Sequence, residues 1–199
     1  RFIDWMALNG VNMPLAITGQ ESVYRKVWKR FGMTDEQSKA YFAGPAHLPW
    51  QRTNKYERWQ GPLPEEWLDG QEELQKKILA RERELGMHPV LPGFNGHIPG
   101  ELPEAMKTEL KAIPISNWGN FADECRTTFL SPSDPHFAEI QKAFLEEQTA
   151  MYGTDHFYSL DAFNEVDLPA RDAATMAGIS KGIYNSLEAV DPEAKWIQM

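Results

Sequence analysis

The sequence predicts an α/β fold, namely the central part of a (β/α)8 TIM barrel. Short apolar runs that are typical of buried strands alternate with amphipathic helical segments along the 199 residues, and no internal repeat is present. This alternation is typical of right-handed βαβ units with a parallel sheet. The loops after the predicted strands are long and those before them are short, which favours a barrel over an open doubly wound sheet. A complete barrel needs about 250 residues, so we expect a partial one.

The first elements are a helix, a strand and two further helices. The opening helix ends at Asn9-Gly10, a pair suited to a left-handed helix terminus. The apolar run 11–17 then predicts a strand buried on both faces. Apolar residues recur at helical spacing up to Gly32, and Thr34 with Gln37 forms a capping box for the next helix.

Helical periodicity disappears between residues 44 and 64, where prolines, basic residues and aromatic residues accumulate. Long aromatic loops of this kind are usually functional. Sugars present apolar C–H faces ringed by hydroxyl groups, so exposed aromatic rings beside hydrogen-bonding groups suit a carbohydrate site. Trp50 and Trp59 are the candidates for sugar stacking. The alternative is that both side chains pin the loop to the core.

The second half of the chain continues the alternation of helices and strands. Proline and glycine punctuate it, and Asp134 is placed to cap a helix that begins at Pro135. The predicted elements are a helix from 64 to 86, a strand at 88–94, a helix from 135 to 152, a strand from 157 to 165 that Asp167, Leu168 and Pro169 end, a helix at about 170–189 and a strand at 195–199.

Glu165 is the strongest candidate for catalysis. It sits at the C-terminal end of the apolar strand that begins near Phe157, and the carboxyl ends of parallel strands open into the binding crevice. At the rim of an apolar strand a carboxyl group is partly desolvated, so its neutral form is favoured and it can protonate a leaving oxygen. Asn164 precedes it as a hydrogen-bonding amide. The alternative is a rim glutamate that only forms a salt bridge.

Composition narrows the function further. The 29 acidic and 20 basic residues give a net charge of −9 without a basic stripe, which argues against a nucleic-acid partner. No run of apolar residues is long enough for a membrane span, and the N-terminus lacks a signal-peptide pattern. The single Cys125 excludes an internal disulfide framework and is expected to be a small buried hydrophobe. Because the chain starts within a helix and ends on a strand, we expect 1–199 to be an internal segment of one catalytic domain.

Other chemistries are less well supported. The five histidines lack the spacing of a zinc site, so neither a metal nor a cofactor is predicted. There is no G-x-S-x-G elbow, and Cys125 has no obvious histidine partner. Glu21, Asp161 and Glu165 lie on or just after strands, and glycoside hydrolysis by two carboxylates best fits an acidic chain with seven tryptophans. A metal-assisted hydrolase and a carbohydrate-binding fragment without turnover remain alternatives.

Several short motifs occur in order along nearly the whole chain. They are Asp4–Gly10, Thr18–Glu21, Gly44–Ala46, Pro89–Pro92, Gly96-His97, Ser116–Gly119 and Phe163–Glu165. In this order they resemble glycoside hydrolase family 89, the α-N-acetylglucosaminidases. The resemblance implies exo-hydrolysis of terminal α-linked N-acetylglucosamine with retention, by a (β/α)8 domain that other domains flank.

The resemblance also implies roles for individual residues. Glu165 matches the family's general acid/base, and Asn164 would bond near the 2-substituent of the sugar. Trp50 and Trp118 would line the pocket for the terminal sugar. The remaining candidates for substrate binding are Gln20, Glu21 and His97.

By the same resemblance, parts of the site lie outside this chain. The family's first barrel strand precedes Arg1, and its nucleophile follows on a later strand, so we expect the segment alone to be inactive. The chain has no N-x-S/T sequon and only one cysteine, Cys125. Those features favour a bacterial periplasmic or secreted enzyme over a lysosomal one.

Overall fold

The computed structural model describes residues 1–168 and 170–198. Pro169, predicted to break a strand, and Met199, predicted to end the last strand, lie outside the described residues. The helices are α1 (Phe2–Leu8), α2 (Gln20–Arg30), α3 (Asp35–Tyr41), α4 (Leu48–Gln51), α5 (Glu65–Glu84), α6 (Leu102–Met106), α7 (Pro135–Tyr152) and α8 (Ala173–Glu188), with short 3-10 turns at Pro45–His47 and Asp123–Cys125. The strands are β1 (Leu91–Pro92), β2 (His97–Ile98), β3 (Ala112–Pro114), β4 (Thr128–Leu130), β5 (Phe157–Ser159) and β6 (Lys195–Ile197).

A parallel sheet lies at the centre of the fold. Strand β5 pairs in parallel with β1 on one side and with β6 on the other. Beyond β1, Leu15 forms a parallel bridge to Val90. Neighbouring strands therefore follow one another in chain order, and a helix lies between each pair in sequence. This is the arrangement predicted for a segment of a (β/α)8 barrel.

The first predicted strand is shorter than expected. Of the segment 11–17, only the bridge at Leu15 is strand-like, although two backbone hydrogen bonds extend the contact. The Val90 amide donates to the Pro14 carbonyl at 2.9 Å, and the Ala16 amide donates to the Val90 carbonyl at 2.9 Å. Because Pro14 has no N–H group, it cannot donate a hydrogen bond to the ladder.

Strand β5 also ends earlier than predicted, at Ser159 rather than at Glu165. Glu165 consequently lies in a loop, six residues beyond the end of the strand. The physical reason is that the next three backbone carbonyls accept hydrogen bonds from side chains instead of from a neighbouring strand. The donors are Trp196 to Leu160, Asn54 and Asn95 to Asp161, and His97 to Ala162.

A second, antiparallel sheet was not predicted. Strand β4 lies in its middle and pairs with β2 and β3, and all three strands fall between β1 and α7 in the chain. The strands are two or three residues long and are joined by long connections, so they carry no hairpin pattern. The sheet pairs His97 with Phe129 and thereby fixes the position of His97 below the predicted crevice.

The core packs the helices against the outside of the parallel sheet. Trp28 of α2 is fully buried, and its ring lies 6.3 Å from that of Phe94 just after β1. Helix α7 buries the predicted apolar stripe that includes Ile140 and Phe144. Helix α5 buries Leu68, Gln75, Leu79 and Glu82, whereas Leu74 is exposed.

Candidate active site

A cavity of about 310 Å³ opens at the carboxyl ends of the parallel strands. Its floor includes Ile17 after the Leu15 bridge, Pro92 at the end of β1 and Ser159 at the end of β5. The carboxyl ends of barrel strands are where (β/α)8 enzymes bind their substrates. The volume lies at the lower end of the range for small-molecule sites. Three predicted site residues line this cavity, namely Gln20, Glu21 and His97.

Glu21 forms a buried ion pair in the wall of the cavity. Its side chain is 3% exposed, and its two carboxylate oxygens accept from Arg52 Nε at 2.7 Å and from Arg52 Nη2 at 2.9 Å. Both Gln20 and Glu21 lie in the first turn of α2, directly after the strand-like segment. The bidentate pair ties the loop that carries Trp50 to α2, so the Glu21 carboxylate is engaged by the protein itself.

Three side chains hold the segment that leads to Glu165. Asn54 Nδ2 and Asn95 Nδ2 donate to the Asp161 carbonyl at 2.8 and 3.1 Å. His97 Nε2 donates to the Ala162 carbonyl at 2.7 Å, which defines the tautomer because a carbonyl can only accept. The conformation of this loop is therefore set by residues that are distant in sequence, namely Asn54 and Asn95 from two other loops and His97 from β2.

His97 is completely buried and neutral in the folded protein. Burial lowers its pKa to about 4, against a weaker raising effect of the hydrogen bond to Ala162 and of the nearby Asp161 charge. Within the described residues its Nδ1 atom has no hydrogen-bond partner. His97 is thus suited to positioning the loop, and its Nδ1 is an acceptor that the protein leaves unused.

The Glu165 side chain is 68% exposed, so the predicted desolvation of this carboxyl group is wrong for the described structure. The backbone of Glu165 adopts a left-handed conformation with φ 54°. Its Oε2 atom lies 3.2 Å from Lys55 Nζ. A salt bridge was also expected for a rim glutamate without a catalytic role. The contact with Lys55 is therefore compatible with both interpretations of Glu165, as a catalytic acid and as a rim residue.

Lys55 joins Glu165 to two other predicted site residues. Its Nζ atom donates to Asn164 Oδ1 at 2.5 Å and lies 5.5 Å from the centre of the Trp118 ring. The Trp118 ring also packs beside Tyr56. In the sequence, Lys55 is one of several basic residues in the loop 44–64, and its position between tryptophans and prolines is the one signal of a role at the site.

The two predicted sugar-stacking tryptophans differ in their surroundings. Trp50, at the end of the short helix α4, is 42% exposed and can present a ring face to a ligand. Trp118 is half-buried in an aromatic cluster with Phe121. Trp59 packs edge-on against the same Phe121 ring at 4.9 Å, as expected for a residue that pins the loop.

Two broader properties of the described residues bear on the site. No group of three or more histidine, cysteine, aspartate or glutamate side chains within 1–168 and 170–198 is arranged to hold a metal ion. Over the same residues, no helix is both long and apolar enough to cross a membrane.

Comparison with known proteins places this geometry in context. A family model described as "Alpha-N-acetylglucosaminidase (NAGLU) tim-barrel domain" matches residues 1–199. The human protein named alpha-N-acetylglucosaminidase is 39% identical over 198 residues, which are 99% of this chain and 26% of the human protein. The chain thus spans about a quarter of the length of this curated relative.

Solved structures of a family 89 glycoside hydrolase from Clostridium perfringens are also similar. The complex with 2-acetamido-1,2-dideoxynojirmycin is 32% identical with a TM-score of 0.88, and it covers 99% of this chain and 22% of that protein. A variant with two glutamate-to-glutamine substitutions, in complex with its substrate GlcNAc-alpha-1,4-galactose, is 31% identical with a TM-score of 0.89 and the same coverage. These matches confirm the predicted fold, a segment of a TIM barrel.

Proposed function

The chain belongs to the α-N-acetylglucosaminidases of glycoside hydrolase family 89, and from that premise we propose that its full-length protein is a retaining exo-glycosidase. It would release terminal α-linked N-acetylglucosamine from glycans or glycoconjugates. The observation that carries the proposal is the family match over the whole chain. The candidate acid of this chain lies on the loop beside the cavity. The substrate of the Clostridium perfringens enzyme, GlcNAc-alpha-1,4-galactose, supports an α-linked N-acetylglucosamine substrate.

Glu165 is the general acid/base of this proposal. It first protonates the glycosidic oxygen as the bond to the leaving group breaks, and it later takes a proton from the water that opens the glycosyl-enzyme intermediate. Its exposed carboxylate can reach both a leaving group and a water molecule. We assign its neighbour Asn164 to bond near the 2-substituent of the same sugar.

The nucleophile is a second carboxylate supplied by a strand outside residues 1–199. Retention requires two carboxyl groups about 5 to 5.5 Å apart. Glu21 and Glu57, the buried glutamates closest in sequence to the cavity loops, are already paired with Arg52 and Arg58. The two glutamate substitutions in the substrate complex of the Clostridium perfringens enzyme support a mechanism with two glutamates.

The cavity at the strand ends holds the terminal sugar in this proposal. Gln20 and His97 line it, and the buried His97 supports the loop that leads to Glu165 through its hydrogen bond to the Ala162 carbonyl. We assign Trp50 and Trp118, which lie outside the residues that line this cavity, to cover apolar C–H faces of the bound sugar. Glu21 contributes to this site not only by its own contact with the cavity but also by holding Arg52 in place.

Residues 1–199 form an internal part of the catalytic domain, and other domains flank that domain in the full-length protein. The low coverage of the two relatives supports this arrangement. The full-length protein acts in a bacterial periplasm or is secreted. This localisation rests on the single Cys125 and on the missing glycosylation sequon. Relatives occur both in human and in bacteria.

The test compares two substrates in the full-length protein. An aryl α-N-acetylglucosaminide with a good leaving group needs little acid assistance, whereas an unactivated α-linked disaccharide depends on it. We expect Glu165→Ala to lower disaccharide hydrolysis at least 100-fold more than cleavage of the activated aryl bond, since general acid catalysis contributes about 10²- to 10⁴-fold.

Asp167→Ala provides the matched control. Asp167 is an exposed carboxylate on the same loop and pairs with Arg171. This variant should treat both substrates like the unmutated protein. If Glu165→Ala also leaves both rates unchanged, Glu165 is a rim carboxylate and the acid must be sought elsewhere.

A further inference from the structure

Lys55 is a buried cation between the two residues assigned to the reaction. Its side chain is 6% exposed, and its ammonium contacts Asn164 Oδ1 at 2.5 Å and Glu165 Oε2 at 3.2 Å. The Trp118 ring borders it on another side, with the ring centre 5.5 Å away. A lysine so enclosed is ordered by its partners rather than by solvent.

The chemistry of lysine fixes the orientation of the Asn164 amide. An asparagine can present either its oxygen or its NH₂ group to a neighbour, but an ammonium is only a donor. Asn164 must therefore turn Oδ1 towards Lys55. Its NH₂ group then faces away from Lys55, and both N–H bonds can donate to an acceptor on the substrate or to water.

The backbone around Lys55 is held on both sides. The preceding residue, Asn54, donates to the Asp161 carbonyl and accepts from the Thr127 hydroxyl through its own carbonyl. The following residue, Tyr56, is buried and donates its hydroxyl to the His47 carbonyl at 3.0 Å. The Lys55 amide itself donates to the Trp50 carbonyl at 3.0 Å. The ammonium is thus presented from a fixed loop to the loop of Asn164 and Glu165.

We propose that Lys55 is a positioning residue that sets substrate specificity by locking Asn164 with its NH₂ group towards the sugar. The locked amide donates to the 2-substituent, and it favours the acetamido group because an amide carbonyl oxygen is a stronger acceptor than the oxygen of a 2-hydroxyl group. Lys55 also holds the Glu165 carboxylate next to the same amide. The inference rests on the proposed function, because it assigns a role relative to Asn164 in that site.

The test measures a ratio of two substrates in the full-length protein. The activated aryl glycosides of α-N-acetylglucosamine and of α-glucose differ only at the 2-position, and the ratio of their kcat/KM values reports recognition of that position. We expect Lys55→Met to lower kcat/KM for the acetamido substrate about 10- to 100-fold, the range for a lost hydrogen bond to a charged group. The α-glucoside should lose much less, so the ratio falls at least tenfold.

Two further variants separate positioning from general damage. Lys55→Arg keeps a donor-only side chain and should retain most of the ratio even if its rates fall. Lys55→Gln can face Asn164 with an acceptor and should lower the ratio as Lys55→Met does, which provides a second readout if Lys55→Met does not fold. Lys142→Met, on the exposed surface of α7, is the control for loss of a lysine charge and should change neither rate.

The outcomes distinguish this inference from the proposed function. If Lys55→Met and Lys55→Gln lower both substrates equally, Lys55 has only a structural role and the inference is wrong. Glu165→Ala is measured in parallel with the leaving-group comparison described above. If Glu165→Ala shows the expected loss of disaccharide hydrolysis but the substrate ratio is unchanged in the Lys55 variants, only the inference about Lys55 is wrong. If Glu165→Ala leaves both rates unchanged, the assignment of Glu165 as the acid is wrong.

Discussion

Replacement of Arg52 by methionine is expected to destabilise the folded protein strongly. The change leaves the Glu21 carboxylate, only 3% exposed and bonded twice by Arg52 at 2.7 and 2.9 Å, without its partner. Removal of one member of a buried ion pair costs about 3 to 5 kcal/mol, because the other charge stays buried and uncompensated. We expect the free energy of unfolding of Arg52→Met to fall within that range.

The double variant Arg52→Met/Glu21→Gln tests the reason for the loss. It replaces the ion pair with neutral groups of similar size, so it should recover most of the lost stability. The assay is denaturant unfolding of the full-length protein, followed by tryptophan fluorescence. A loss below about 1 kcal/mol in the single variant, or a double variant as unstable as the single one, would refute a structural role for the Glu21 carboxylate.

Two further predictions concern residues next to the cavity. His97 has a pKa of about 4 when folded and an ordinary value of 6.5, so the folded state resists its protonation and loses stability as the pH falls from 6.5 to 4, by about 3 kcal/mol in total. In His97→Gln this acid-dependent loss should be absent, and equal pH profiles of unfolding in both proteins would contradict the assignment. A Cβ at Gly96, where φ is +106°, would meet the Phe129 ring and lie 3.1 Å from the Phe137 ring, so Gly96→Ala should cost at least about 1 to 3 kcal/mol. Gly70→Ala, where a Cβ meets open space, is the control and should be neutral or stabilising, and a similar loss in both variants would contradict the packing argument.

Local sequence patterns predicted the longer helices, whereas the short helices α4 and α6 were not predicted. The capping box of Thr34 and Gln37 forms both of its hydrogen bonds, and the Asp134 side chain caps α7 through the His136 amide. These interactions join residues two or three positions apart, so their spacing is visible in the sequence. The alternation of helices and apolar runs likewise predicted the parallel order of the central strands.

The end of β5 and the surroundings of Glu165 could not be predicted in the same way. They depend on hydrogen bonds between residues far apart in sequence, such as Asn54 to Asp161 and Lys55 to Asn164, which join positions 107 and 109 residues apart. Pairs so far apart leave no periodic pattern in the local sequence. The apolar content of 157–163 therefore predicted a longer strand. Because Glu165 was expected at the end of that strand, its carboxyl group was predicted to be desolvated.

The role of Glu165 is tested most directly by azide rescue of Glu165→Ala in the full-length protein. With an activated aryl α-N-acetylglucosaminide, the variant forms the glycosyl-enzyme intermediate but lacks the base that activates water. Azide attacks this intermediate without a base, and the configuration of the glycosyl azide can be read by NMR. The account predicts faster turnover with an α-configured azide. A β-configured azide would instead identify Glu165 as the nucleophile, and an absence of rescue in a variant with unimpaired turnover would contradict any catalytic role for it.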